Sequence, residues 1–202
     1  MSLKDAKINF LVDIATDLFM CRSINDVTVR DLAISAQVGE ATIYRYFGSK
    51  QKIVIQSALK LQEIVSSDFF KLEEGKNGYE MIKIFYQSYF DIFNKHPNFY
   101  KFLQEFDSFV SVEDIDSANP YEKAIDSYKD VYMHAYELGL KDGSIKKQKD
   151  INLFYFSTTH ALLELCKKLA FKKAVLNQDK TLEKGGEIQC LIDTILLSLN
   201  NL

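Results

Sequence analysis

Apolar residues recur along this chain at spacings of three and four, the period of a helix that buries one side. In the first segment Ile8, Leu11, Val12, Ala15, Leu18 and Phe19 form such a stripe, which predicts a helix from Lys4 to about Arg22. Ser23-Ile24-Asn25-Asp26 interrupts the period, and Thr28-Val29-Arg30-Asp31 has the form of an N-cap followed three residues later by an acid. A second, short helix starts there, turns Leu32, Ala33 and Ala36 inward and ends near Gln37. Val38-Gly39 makes a tight turn, Glu40 to Phe47 a third short helix, and Gly48-Ser49 a stop, with Ser49 capping a fourth helix from Lys50 to about Phe70. Two short helices joined by so small a turn predict a helix-turn-helix unit, whose second helix is the one presented outward.

Beyond Leu72 a polar break with Gly75 and Gly78 is the best boundary in the chain. The pattern then predicts helices at about Tyr79–Lys95, Asn98–Val110, Pro120–Leu138, Asp150–Val175 and Thr181–Asn200. His96-Pro97, the acidic stretch Ser111–Asn119, Gly139–Gly143 and Gln178-Asp179 punctuate them. The expected fold is all-α with about nine helices. A three-helix module occupies 1–48, a connecting helix 49–70 and a larger helical domain 71–202.

Composition narrows the class. With 47% hydrophobic residues, 2 prolines and 8 glycines in 202 positions, the chain reads as globular and helical. Its apolar runs are broken by charge before they could span a bilayer, and Met1-Ser2-Leu3-Lys4-Asp5 has no apolar core leading to a cleavage site. These features predict a cytoplasmic protein without a membrane partner. Cys21, Cys166 and Cys190 are odd in number and far apart, which predicts reduced thiols in or near the core. The net charge of -3 does not suggest a nucleic-acid partner, but the charge is uneven. Between Thr28 and Lys52 stand Arg30, Arg45, Lys50 and Lys52 against Asp31 and Glu40, while acids outnumber lysines from Asp91 to Asp130. A locally basic module on an acidic body is compatible with DNA binding, because phosphate responds to the face presented.

In the third helix Ile43 and Phe47, four apart, can anchor to Leu32 and Val38, leaving Glu40, Ala41, Thr42, Tyr44, Arg45 and Tyr46 outward. Thr42 and Tyr46 share a face, so their hydroxyls can reach phosphate oxygens flanking a groove; Tyr44 offers a hydroxyl and Arg45 a fork of donors. Lys50 opens a helix, where its ammonium and the unpaired backbone N–H groups together favour a phosphate.

Read as TVRDLAISAQVGEATIYRYFGSK, Thr28 to Lys50 resembles the DNA-binding signature of the TetR/AcrR family of bacterial repressors. The ungapped resemblance includes the cap, the Leu-Ala pair, the Ala-x-Val turn, the Ala-Thr-Ile-Tyr-x-Tyr-Phe helix and the Ser-Lys opening of the fourth helix. It implies a transcriptional regulator binding a double-stranded, pseudo-palindromic operator. Thr28 would contact phosphate, Arg30 would reach a base edge, and Gly39, Glu40, Ala41, Thr42, Tyr44, Arg45, Tyr46 and Lys50 stand at recognition-helix and phosphate-clamp positions. Two positions depart from the pattern: Gln37 stands where a glycine is common, and Gly39 where a serine often caps the recognition helix. Glu40 would repel phosphate, yet as an acceptor it could read a cytosine amino group.

The family's C-terminal domain binds a small-molecule effector and dimerises. The middle of this chain is rich in aromatics, most of them core by their spacing. The resemblance places an apolar or aromatic effector among them, with Tyr89, Phe93, Phe106, Tyr132, Phe156 and His160 as candidate lining. The alternative for His160, one turn from Glu164, is a hydrogen-bonded core residue. No second cluster completes a metal or catalytic site around this pair, so neither metal nor cofactor is predicted, and no enzyme. The resemblance also makes the last two helices the homodimer interface, with Phe154, Leu162, Leu165, Leu169, Ile188, Leu191, Ile192, Ile195 and Leu199 as its apolar stripes. Dimerisation follows from the DNA side too, since one small recognition helix buries too little to be selective. The implied mechanism is a repressor whose fourth helix links effector and DNA. The rival is a DNA-binding factor of the same fold that works through protein partners or as an activator, without an inducer.

Overall fold

Side chains that accept hydrogen bonds from backbone N–H groups open several helices of this protein. Ser2, Thr28 and Asn77 each cap a helix in a reciprocal box with the acid three residues on, and Asp150 accepts from Leu153 N. The computed structural model describes residues 2–70, 75–110, 120–171 and 184–201. Among them are nine α-helices: α1 (Leu3–Cys21), α2 (Val29–Ser35), α3 (Glu40–Phe47), α4 (Lys50–Asp68), α5 (Gly78–Lys95), α6 (Pro97–Phe109), α7 (Pro120–Asp142), α8 (Ile151–Ala170) and α9 (Lys184–Leu199). The all-α expectation stands. α7 runs one turn past its expected end at Leu138, because Gly139 continues the helix and the chain turns only at Gly143, whose φ is +80°. The acidic stretch 111–119 and the expected helical residues 172–175 and 181–183 lie outside the described residues.

The chain packs as two compact units, residues 1–64 with 101–124, and 65–100 with 125–202. In the first, Leu11, Val12, Ala15 and Phe19 of α1 are buried with Ile24, Val27, Leu32, Ala33, Ile43 and Phe47, and α4 adds Ile53, Val54 and Ala58. Phe102 and Phe106 of α6 belong to the same unit and stack with centroids 5.9 Å apart.

In the second unit α5 packs on α8 and α9, and these two pack on each other. Backbones approach closely where α5 begins: a Cβ on Gly78 would fall 2.1 Å from Gly139 N, so only glycine fits. The same helix start is tied by the last residue of α7 and by the connection after it, Asp142 Oδ2 accepting from Gly78 N at 2.9 Å and Ser144 Oγ from Tyr79 N at 3.1 Å. Asp142 Oδ1 also accepts from Ser144 N at 2.8 Å, and these bonds, those from Ser144 foremost, hold its carboxyl below the usual range.

The cysteine expectation is corrected in part. Cys166 is buried, but Cys21 and Cys190 are exposed, since each lies on the outward side of an amphipathic helix. Burial pushes the Cys166 thiol up to about 12, against a lowering hydrogen bond with the Tyr100 hydroxyl.

Candidate nucleic-acid interface

The recognition unit is built from its cap outward. Thr28 Oγ1 accepts from Asp31 N at 3.1 Å, while Asp31 Oδ2 accepts from Thr28 N at 2.8 Å and from the Thr28 hydroxyl at 2.7 Å. The hydroxyl bond first, then the backbone bond, hold the Asp31 carboxyl below its usual range, with Arg22 3.6 Å away adding to it. α2 ends in a paired closure: Gln37 N donates to Ile34 O at 3.1 Å and Val38 N to Ala33 O at 2.9 Å. This is a Schellman motif, whose pivot residue must be left-handed. Gln37 is that pivot, with φ +54°, so it occupies a conformation that favours glycine.

α3 follows after Gly39, which supplies no side-chain cap. Ile43 and Phe47 are buried and pin α3 to α2. Glu40, Ala41, Tyr44 and Arg45 are exposed, and Thr42 and Tyr46 half-buried, so the side expected to meet DNA faces solvent. The Arg45 guanidinium lies 5.1 Å from the centroid of the Tyr46 ring, a cation–π contact that leaves its donors at the surface. Thr28 and Arg30 are exposed at the start of α2, though the Thr28 hydroxyl already donates to Asp31. An exposed ridge of hydroxyls and guanidinium donors can bond phosphates and base edges together.

Lys50 stands at the start of α4, where Ser49 Oγ accepts from Lys52 N at 3.3 Å. Its ammonium lies 5.0 Å from the centroid of Phe109. Partial burial lowers its pKa, opposed by the carboxylates of Asp26 and Asp31. Nothing in the spacing around Lys50 announces Phe109, more than fifty positions on, and the same holds for Glu105, whose Oε2 accepts from Ser23 Oγ at 2.9 Å and from Ile24 N at 2.5 Å.

The candidate effector residues are not brought together as a set. Tyr132 is buried in an aromatic cluster, with ring centroids 5.2 Å from Phe85 and 5.0 Å from Tyr155. Tyr89 is half-buried beside Phe85 and Phe70, and Phe93 lies 6.4 Å from Tyr100. Phe106 belongs to the core of the other unit. Phe156 and His160 are exposed, the first under Lys129 and both in ring contact with each other, so neither the lining role nor the buried-histidine alternative holds for His160 in the single chain. The inward side of α8 is instead Tyr155, Thr159, Leu162, Cys166 and Leu169, and one position further along is about 100° around the helix. Glu164 is likewise exposed and pairs with buried Lys167 at 2.7 Å.

A hydroxyl chain runs through the cluster. Tyr86 OH donates to Tyr132 OH at 3.2 Å and shares a 2.7 Å bond with Thr158 Oγ1. Burial raises the Tyr86 phenol to about 12 and drives that of Tyr132 far above its usual value. Sequence periodicity marks these rings as core but carries no sign of which hydroxyls pair.

The interface stripes need a similar correction. Leu162, Leu169, Ile188, Ile192, Ile195 and Leu199 are buried in the chain's own core, and Phe154, Leu165 and Leu191 are half-buried. The large apolar side chains that α8 and α9 turn to solvent are Leu153, Phe156 and Leu197, at 65%, 43% and 75% exposure. The longest stripe on an amphipathic helix marks its own core first, and a second contact face is written in the fewer apolar residues left over.

Residues 11–56 match the family described as bacterial regulatory proteins, tetR family. No curated protein matches the sequence. Solved structures share the fold over nearly the whole chain. A protein of Saccharomonospora viridis described as a transcriptional regulator, in complex with choline, superposes with a TM-score of 0.73 at 16% identity, covering 97% of this chain and 98% of that one. A tetR-family transcriptional regulator from Streptomyces coelicolor gives 0.66 at 15% identity over 96% of this chain and 80% of its own. The fatty acid degradation regulator FadR from Bacillus halodurans gives 0.66 at 16% identity, with 94% of each chain covered. Residues 11–56 thus carry the tetR-family N-terminal module, and the chain as a whole has the fold of solved tetR-family regulators.

Proposed function

We propose that the chain is a homodimeric repressor that holds a pseudo-palindromic operator through α3 and is released by a small apolar or aromatic effector. The observation that carries the DNA-binding part is the outward side of α3, where Tyr44 and Arg45 are exposed beside Thr42 and Tyr46 while Ile43 and Phe47 fix the helix from behind. A dimer doubles that contact, with half-sites about one helical turn, 34–36 Å, apart. No helix among the described residues is long and apolar enough to cross a membrane. In this reading the protein acts on DNA in the cytoplasm.

Homodimerisation uses the outward side of α8 and α9, with Leu153, Phe156 and Leu197 at its centre, since large exposed apolar side chains on adjacent helices favour burial against a second copy. The effector acts among the rings of the second unit, Phe70, Phe85, Tyr89, Tyr128, Tyr132 and Tyr155. It shifts the dimer by binding more tightly to the form whose recognition helices are wrongly spaced. α4, which runs from the recognition module into the second unit, carries that shift. The Saccharomonospora viridis relative was solved with choline, and aromatic faces attract quaternary ammonium ions, so choline is a natural first probe beside apolar compounds.

Selection of duplexes from random DNA by the purified full-length chain tests this reading. Enrichment of one inverted-repeat sequence supports it. Recovery of no sequence above background contradicts operator recognition.

A further inference from the structure

α6 meets the DNA-binding module along one side. Phe102, Glu105 and Phe109 are three and four residues apart, which places them on a common face of the helix. Phe102 lies 6.5 Å from the Phe19 ring of α1, Glu105 bonds Ser23 and Ile24 in the α1–α2 turn, and Phe109 carries the Lys50 ammonium of α4. All of these residues belong to the first unit.

The turn itself shows what Glu105 does. Asp26 N and Val27 N both donate to Ser23 O, at 3.1 and 3.2 Å, and Asn25 N donates to Ser23 Oγ at 3.3 Å. Ile24 N and the Ser23 hydroxyl find their acceptor on α6, in a single oxygen of Glu105. Ile24 is fully buried, so water cannot readily replace that acceptor, and a buried N–H left without a partner is costly. The turn leads through Val27, also fully buried, to the Thr28 cap that starts α2.

We propose that Glu105 is a positioning residue for operator recognition: by closing the α1–α2 turn it sets the direction in which α2 and α3 leave α1, without touching DNA. This rests on the reading of α3 as the DNA-contacting helix. Base contacts need donors held to within about half an ångström, whereas phosphate attraction tolerates looser placement. Loss of the clasp therefore weakens selective binding more than general binding.

The test uses the full-length chain with Glu105→Ala, Glu105→Asp and Glu105→Gln, a duplex selected from random DNA by the wild type, and an unrelated duplex of the same length. Ala and Asp, which remove or withdraw the acceptor, are expected to weaken binding of the selected duplex about tenfold while binding of the unrelated duplex stays within about twofold. Hydrogen exchange at Ile24 should quicken in both while that of α3 is unchanged. Gln keeps an acceptor of the same length and should restore both readouts. Ala and Asp variants that bind the selected duplex as the wild type does would overturn the proposal, and so would a Gln variant as weak as Asp, which would make charge rather than the hydrogen bond the active property. If the Ala variant does not fold, the Asp–Gln contrast decides. Failure of the wild type to select any duplex would sink the operator reading and this proposal with it, whereas selection with unaltered variants sinks this proposal alone.

Discussion

The Lys50 ammonium rests 5.0 Å from the centroid of the Phe109 ring, and burial there lowers its pKa. A lysine expected to clamp phosphate is thus engaged by a ring in the DNA-free chain, and DNA has to compete for it. A cation–π contact of this kind contributes roughly 0.5–2 kcal/mol, according to how far it is desolvated. Phe109→Leu keeps the apolar contact and removes the competition, so it should tighten DNA binding by about twofold, the low end of that range. In a Lys50→Ala background the same substitution should change nothing, and anisotropy titrations of the four proteins measure this coupling directly.

Gln37 carries the left-handed pivot of the α2 closure at φ +54°. Glycine adopts that conformation without steric cost, whereas other residues are destabilised by about 1 kcal/mol. Gln37→Gly should raise the thermal midpoint by several degrees, roughly what 1 kcal/mol does in a domain of this size. Gln37→Val should lower it, and an unchanged midpoint in both would mean that the turn relaxes freely.

Asp142 ties the start of α5 through Gly78 N, and its folded pKa lies below the ordinary 3.8. A depressed carboxyl stabilises the fold fully above its unfolded pKa and loses that contribution as pH falls through the folded value. Asp142→Asn should therefore be less stable than the wild type at neutral pH, with the difference shrinking below pH 3.8. Chemical denaturation at pH 7 and at about pH 3 checks the sign, and a gap that widens in acid would contradict it.

Leu197 is exposed on α9, whereas Ile192, five residues earlier, is fully buried. Leu197→Glu should give a folded monomer by light scattering, because it charges the proposed dimer face without entering the core. Ile192→Ala should instead cost about 2–4 kcal/mol of stability, the usual range for a truncated core side chain. A Leu197→Glu protein that remains dimeric would move the interface off this face.

The N-terminal module was legible because its information is local. Thr28 and Asp31, and Ile43 and Phe47, act within a few residues of one another, so spacing places them; the tight turn expected at Val38-Gly39 instead pivots one residue earlier, at Gln37, with Gly39 extended at the start of α3. Phe156 and His160 were misread for a related reason: on a helix with apolar residues on several sides, a shift of one position turns a side chain by 100°, from the core to solvent. Leu162 and Ile192 show the same limit, since a stripe cannot say whether its own chain or a partner covers it. Glu105 left no local trace, because its partners Ser23 and Ile24 lie some eighty residues away in sequence.

The most direct test of the central claim is an anisotropy titration of a wild-type-selected duplex at two salt concentrations, with the wild type beside an Arg45→Ala/Lys50→Ala variant. The account predicts tight, salt-sensitive binding by the wild type. It predicts that the variant loses most of that affinity and has a salt slope shallower by about two, one for each phosphate contact removed. Equal affinity and equal salt dependence for the two proteins would contradict the assignment of α3 and the start of α4 as the DNA-contacting surface.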